Sequence, residues 1–139
     1  MNIPSNPIVL TLNLTQHAAT PEQFTAFVMA LDTPEETAAV SALLTVDELP
    51  SPEEVRERAW KLADIAKAWA DRHLLPEGTR VMIGGAPWLM TALARRLESV
   101  GLKPVFAFSK RESVDQPQPD GSVRKVAVFR HIGFVDYID

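Results

Sequence analysis

Three short apolar runs constrain this chain most: "PIVLTLNL" from Pro7, "RVMIGG" from Arg80 and "VFAFS" from Val105. In the first, Ile8, Val9 and Leu10 are adjacent, the pattern of a strand buried on both faces rather than half-solvated. Such strands need helices over them, and the intervening sequence supplies helix starts. Thr20-Pro21-Glu22-Gln23 offers an N-cap, a proline at the first helical position and Gln three residues after the cap. Phe24, Phe27, Val28 and Leu31 then follow at helical spacing, which extends this helix to Leu31. "DTPEETAAVSALL" repeats the device, with Thr33 before Pro34 and acidic residues in the first turn. "SPEEVRERAWKLADIAKAWADRH" holds the longest predicted helix, with an apolar stripe of Val55, Ala59, Leu62, Ile65, Ala66 and Trp69.

"LPEGT" reads as a turn before the second strand, and "APWLMTALARRLESVGLKP" as a helix with Pro87 near its start and Gly101 at its stop. After the third strand the pattern changes to alternation. "PDGS" then marks a reverse turn between the two arms of a carboxyl-terminal β-hairpin. Strand, helices, strand, helix, strand, hairpin is the order of a single α/β domain over residues 1–139, with a mainly parallel sheet and helical crossovers.

The net charge of −4 is unevenly spread: residues 1–94 hold six basic and twelve acidic side chains, residues 95–131 eight and four. An acidic chain lacks the broad basic face that binding along a nucleic-acid duplex requires, whereas a local basic patch suits a small anion. With no cysteine, disulfides, thiolate catalysis and cysteine metal sites are excluded. "MNIPSNP" lacks a basic and apolar leader, and no run approaches a membrane span, so a cytoplasmic protein with no membrane partner is expected.

In an open parallel sheet, ligands collect beyond the carboxyl ends of the strands. That rule gathers "NLTQH" after the first strand, "GGAPW" after the second and "SKRES" after the third. Gly84-Gly85 before a helix reads equally as half an anion cradle or as a tight turn, and Pro87 removes one donor. Ser109, Lys110 and Arg111 at a strand end could neutralise a phosphate, or Glu112 could pair with one of the cations at the surface. Neighbours on a strand point to opposite faces, so Lys110 and Arg111 share a ligand only where the strand has ended or bulged. His17, among Asn13, Thr15 and Gln16, has the imidazole chemistry of a general acid or base. His131 lies in the last strand and His73 ends the long helix. No HxH, HxxH or HExxH occurs, so neither a metal site nor a cofactor motif is indicated.

The polar turn with His and "TPEQ", then "EGTRVMIGG", "LESVGLKPVFAFSKRESV" and "DGSVRKVAVFRHIGFVDY", together resemble small CRISPR-accessory proteins. These are single-domain relatives of the CARF (CRISPR-associated Rossmann fold) proteins, among them the stand-alone ring nucleases. The resemblance implies a small Rossmann-like, CARF-like fold and a homodimer that binds a cyclic oligoadenylate messenger of type III CRISPR defence. It further implies metal-independent cleavage by ribose 2′-OH attack, giving linear products with a 2′,3′-cyclic phosphate and ending the signal. Carried over by position, Ser109, Lys110 and Arg111 match the family's basic motif, and Thr15, Gln16 and His17 its polar turn. His17, Lys110 and Arg111 are then the catalytic candidates, with Asn13, Thr15, Gln16, Gly84, Gly85 and Ser109 as ligand contacts. The chain departs from the family outline in "QH" for "SH", "GGA" for "QGD" and one basic residue fewer in "VFRHIGF". A non-catalytic nucleotide-sensing or sequestering module is the alternative, and a scaffold presenting the helices from Thr33 to His73 a third reading.

Overall fold

The computed structural model describes residues 8–139. Expectations that fall on residues 1–7, the absence of a leader among them, lie outside the described residues. Five strands form one sheet in the order β2-β1-β3-β4-β5: β1 Thr11–Asn13, β2 Val28–Met29, β3 Arg80–Met82, β4 Lys103–Pro117 and β5 Val123–Asp136. The first four are mutually parallel, and β5 returns antiparallel to β4. This is a small Rossmann-like α/β fold with a carboxyl-terminal hairpin, as the sequence predicts.

The helix starts fall where the capping residues place them. Thr20, Thr33 and Ser51 each accept a hydrogen bond from the backbone N–H three residues on, opening α1 (Pro21–Thr25), α2 (Pro34–Leu44) and α3 (Pro52–Arg72). In α1 the box is complete, because the Gln23 side chain also accepts from the Thr20 N–H. The fourth helix, α4 (Pro87–Ser99), ends in a Schellman motif: Leu102 N–H donates to Leu97 and Gly101 N–H to Glu98. Gly101 takes φ +84°, which is why glycine stands there.

Helices α2, α3 and α4 cover one face of the sheet. Leu12, Leu14, Val81 and Ile83 point into that layer and meet Leu62, Ala66, Trp69, Leu89, Leu93 and Leu97, all buried. The stripe predicted for α3 is this contact surface. On the opposite face Val28, Met82 and Val105 form a smaller cluster against Ala19 and Phe134. No helix among the described residues is long and apolar enough to cross a membrane.

Two local expectations are corrected. The helix at Thr20 stops after five residues instead of running to Leu31. Phe27 adopts φ +64°, Val28 turns inward and pairs with Thr11, and Val28–Met29 becomes the edge strand β2. Edge pairing to β1 and burial of Val28 outweigh the helical spacing, and Phe24 is left 69% exposed. In the first run, Ile8 and Val9 are exposed, and the buried strand is Thr11–Asn13. Only from Thr11 onward do β2 and β3 flank the chain on both sides.

Candidate functional site

From β1 the chain passes through α1 to β2 on one side. From β2 it returns through α2 and α3 to β3 on the other side of β1, and then moves on to β4. The direction of strand addition therefore reverses between β1 and β3. In open α/β sheets the crevice beyond the carboxyl ends at such a switch point is where ligands bind. A cleft of about 450 Å³ occupies that place, and Thr15, Gln16 and His17 after β1, with Gly84 and Gly85 after β3, line it. Five of the residues singled out in the sequence thus meet in one site.

Asn13 shapes the first of these loops from within. Its Oδ1 accepts from the Thr15 N–H at 3.0 Å and the Thr15 hydroxyl at 2.7 Å, and its Nδ2 donates to the His17 carbonyl at 2.8 Å. This Asx turn consumes most of the amide's capacity, and Asn13 does not line the cleft. Gln16 ties the loop to the end of α2, donating from Nε2 to the Thr45 hydroxyl at 2.8 Å and the Ser41 carbonyl at 3.3 Å. His17 is exposed, and among the described residues its ring makes no hydrogen bond. The loop fixes the His17 backbone and presents the imidazole to the cleft.

The second wall depends on glycine. Gly85 has φ +156°, and a Cβ there would lie 3.3 Å from the Met90 methyl. At Gly84 a Cβ would meet Thr15 Cγ2 at 3.7 Å, an ordinary contact between the two loops. Ala86 begins α4 with no side-chain cap, unlike the other three helices, so the positive end of α4 opens beside the two glycines.

Seven further residues line the cleft that sequence reasoning did not assign to a site: Ala18, Thr20, Met82, Ile83, Gln23, whose side chain closes the α1 capping box, and Phe106 and Ala107 of β4. For Phe106 and Ala107 the signal was present, since "VFAFS" is the strand whose carboxyl side had to face the cleft. Among the described residues no Asp, Glu, Lys or Arg lines it, and His17 is the one imidazole that does.

The basic motif sits differently from the expectation. β4 does not end at Ser109 but runs unbroken to Pro117, paired with β5 throughout. The irregularity at Phe108/Ser109 lies on the opposite strand, where Ile132 is the extra residue between His131 and Gly133. Lys110 and Arg111 therefore project from opposite faces of β4, and the two do not converge on one phosphate within a single copy. Arg111 and Ser109 share the face of Ala107; at ~3.3 Å per residue Arg111 stands roughly 13 Å further along the strand. Lys110 lies across from Arg130, whose Nε is paired with Glu112 at 2.6 Å.

The other two histidines separate cleanly. His73 caps α3 and places Nε2 2.9 Å from Asp32 Oδ1, with Arg72 bonded to Asp32 and Glu36 beside it. This network holds the Asp32 carboxyl below its usual range, through the His73 hydrogen bond first and Arg72 next. His131 packs on Phe134 at 4.9 Å, its ring nitrogens buried without partners. Neither lines the cleft, and among the described residues no three His, Asp or Glu side chains gather as a metal site would need.

A family profile described as "Uncharacterized protein MJ1673 family" matches residues 10–135, and the chain belongs to that family. No curated protein and no solved structure matches it.

Proposed function

We propose that this protein binds a cyclic oligoadenylate at the β1/β3 switch point and cleaves it without a metal, acting in the cytoplasm to end a type III CRISPR signal. The observation that carries the reading is the meeting of Thr15, His17, Gly84 and Gly85 in one cleft that no carboxylate among the described residues lines. The ligand's identity comes from the sequence resemblance.

In this reading a phosphate sits over Gly84-Gly85 at the uncapped start of α4, where backbone N–H groups and the helix end favour negative charge. Phe106 offers an apolar wall to a base. The ribose 2′-oxygen attacks the adjacent phosphorus as the bond to the 5′-oxygen breaks. His17 takes the 2′-OH proton, and the 5′-oxygen takes a proton from water as it leaves. Fixed donors stabilise the charge on the transition state, and the loop built on Asn13 supplies the positioning. Ser109 and Arg111, on the same face of β4, serve phosphates further round the ring. As the resemblance implies a homodimer, a second copy shares the ring in this reading, each cleft lying within the ~300–1,000 Å³ range of small-molecule sites.

The experiment is incubation of the purified chain with cyclic tri-, tetra- and hexa-adenylate in chelator, followed by chromatography. Linear products ending in a 2′,3′-cyclic phosphate are expected, and their loss in His17→Ala. A single imidazole in the cleft favours a second reading, binding without turnover. A ligand-dependent rise in melting temperature with the ring intact would establish that one. Neither product nor thermal shift with any of the three rings refutes both.

A further inference from the structure

We propose that two copies of this chain associate through the α3–α4 face, each laying Leu49 against the Trp60–Trp88 groove of the other. The groove runs between the two helices with a volume of about 580 Å³. Val55 and Ala92 contribute to its apolar floor, and Trp60 and Trp88 stand 48% and 46% exposed along it. Arg56, Arg95 and Arg96 line it and, among the described residues, no carboxylate does; the Arg96 guanidinium lies 4.7 Å from the Trp60 ring centre.

Beside it is a second cleft, of about 470 Å³, that shares Pro52, Val55 and Trp88 with the groove. Its other wall is the loop Val46–Pro50, where Leu49 is 98% exposed and follows Asp47 and Glu48. A large apolar side chain preceded by two carboxylates is the chemistry the groove lacks. Among the described residues Asp47, Glu48, Arg56 and Arg95 make no ion pair.

An acidic loop and a basic groove that share one border are self-complementary about a two-fold axis through that border. Each copy's loop then meets the other's groove, the condition for an isologous interface. Exposed tryptophans and arginines around an apolar centre are also the side chains that dominate such interfaces. Leu49 is the anchor, and Glu48 meeting Arg95 sets the register. The inference stands apart from the ligand reading, since association is measured with no nucleotide present.

The test is light scattering and sedimentation equilibrium on the full chain, with Leu49→Asp, Glu48→Arg and Arg95→Glu. All three positions are exposed, and circular dichroism confirms folding. A wild-type dimer is expected, with each variant dissociating at least about tenfold more readily. Mixing Glu48→Arg with Arg95→Glu should restore association, because a heterodimer of the two has no like-charge pair. A wild type monomeric across the micromolar range overturns the proposal, as does a dimer indifferent to Leu49→Asp or a mixture that does not recover. A monomer whose tryptophan emission responds instead to an acidic peptide or to oligoadenylate gives the groove to another occupant and also overturns it.

Discussion

Replacing Asn13 by alanine tests whether the His17 loop is held from within. The substitution removes the acceptor of two hydrogen bonds to Thr15, at 3.0 and 2.7 Å, and the donor of one to the His17 carbonyl at 2.8 Å. A protein hydrogen bond contributes roughly 0.5–1.5 kcal/mol net, and water replaces much of the exposed one, so a loss of about 1–2 kcal/mol is expected. At about 3 °C per kcal/mol for a domain of this size, the melting temperature falls by roughly 3–6 °C. Thr15→Val removes the Thr15–Asn13 bond from the other side, along with the 3.1 Å bond to the His17 carbonyl. Because one bond is common to both, the double variant should cost less than the sum of the singles by about 0.5–1 kcal/mol. Urea unfolding of the four proteins measures this. Additivity within about 0.3 kcal/mol would mean that the two side chains do not cooperate, and the loop would then not be preorganised.

Three further outcomes are expected. Gly85→Ala should cost about 1–3 kcal/mol from its φ of +156° and the Met90 contact, whereas Gly84→Ala meets only Thr15 at 3.7 Å; equal costs in thermal melts would contradict this. Arg58 donates to the carbonyls of Ala42, Leu43 and Thr45 and to Glu54, so Arg58→Ala should lose roughly 1–3 kcal/mol; lysine, lacking the planar fork, should recover less than half, and full recovery would refute the fork's role. Asp32 is held below the usual carboxylate range, so its contribution is complete above that range and lost as pH falls through the lowered folded value. The difference in urea midpoint between wild type and Asp32→Asn should therefore close on acidification, and a gap that persists at the lowest pH would disprove the assignment.

Local chemistry was read well where it is local. Thr20, Thr33 and Ser51 announce helix starts because a cap needs only a side-chain oxygen and an N–H three residues away. The Gly101 stop and the α3 stripe are legible for the same reason. The extent of β4 was not. Beyond Ser109 most of β4 is exposed, so although the alternation announced an extended hairpin arm, nothing in its polar residues showed that this arm continues the third strand without a break, and "SKRES" looked like an end. What holds this stretch extended is its pairing with residues Val123–His131, a contact that alternation hints at and composition hides.

The decisive omission is the smallest element. β2 is two residues long, too short for any periodicity, and its only marks are a positive φ at Phe27 and a buried Val28. Without β2 the strands after β1 run in one direction and the sheet has no switch point. With β2 on the outer side of β1, the order reverses between β1 and β3, and the polar turn after the one comes to face the glycines after the other. His17 and Gly85, 68 positions apart in the chain, share a cleft because β1 and β3 are paired neighbours, with Val28 at the edge on the other side of β1. The site is thus a consequence of strand order. That also explains why its separate parts could be found in the sequence while the exclusion of Lys110 could not.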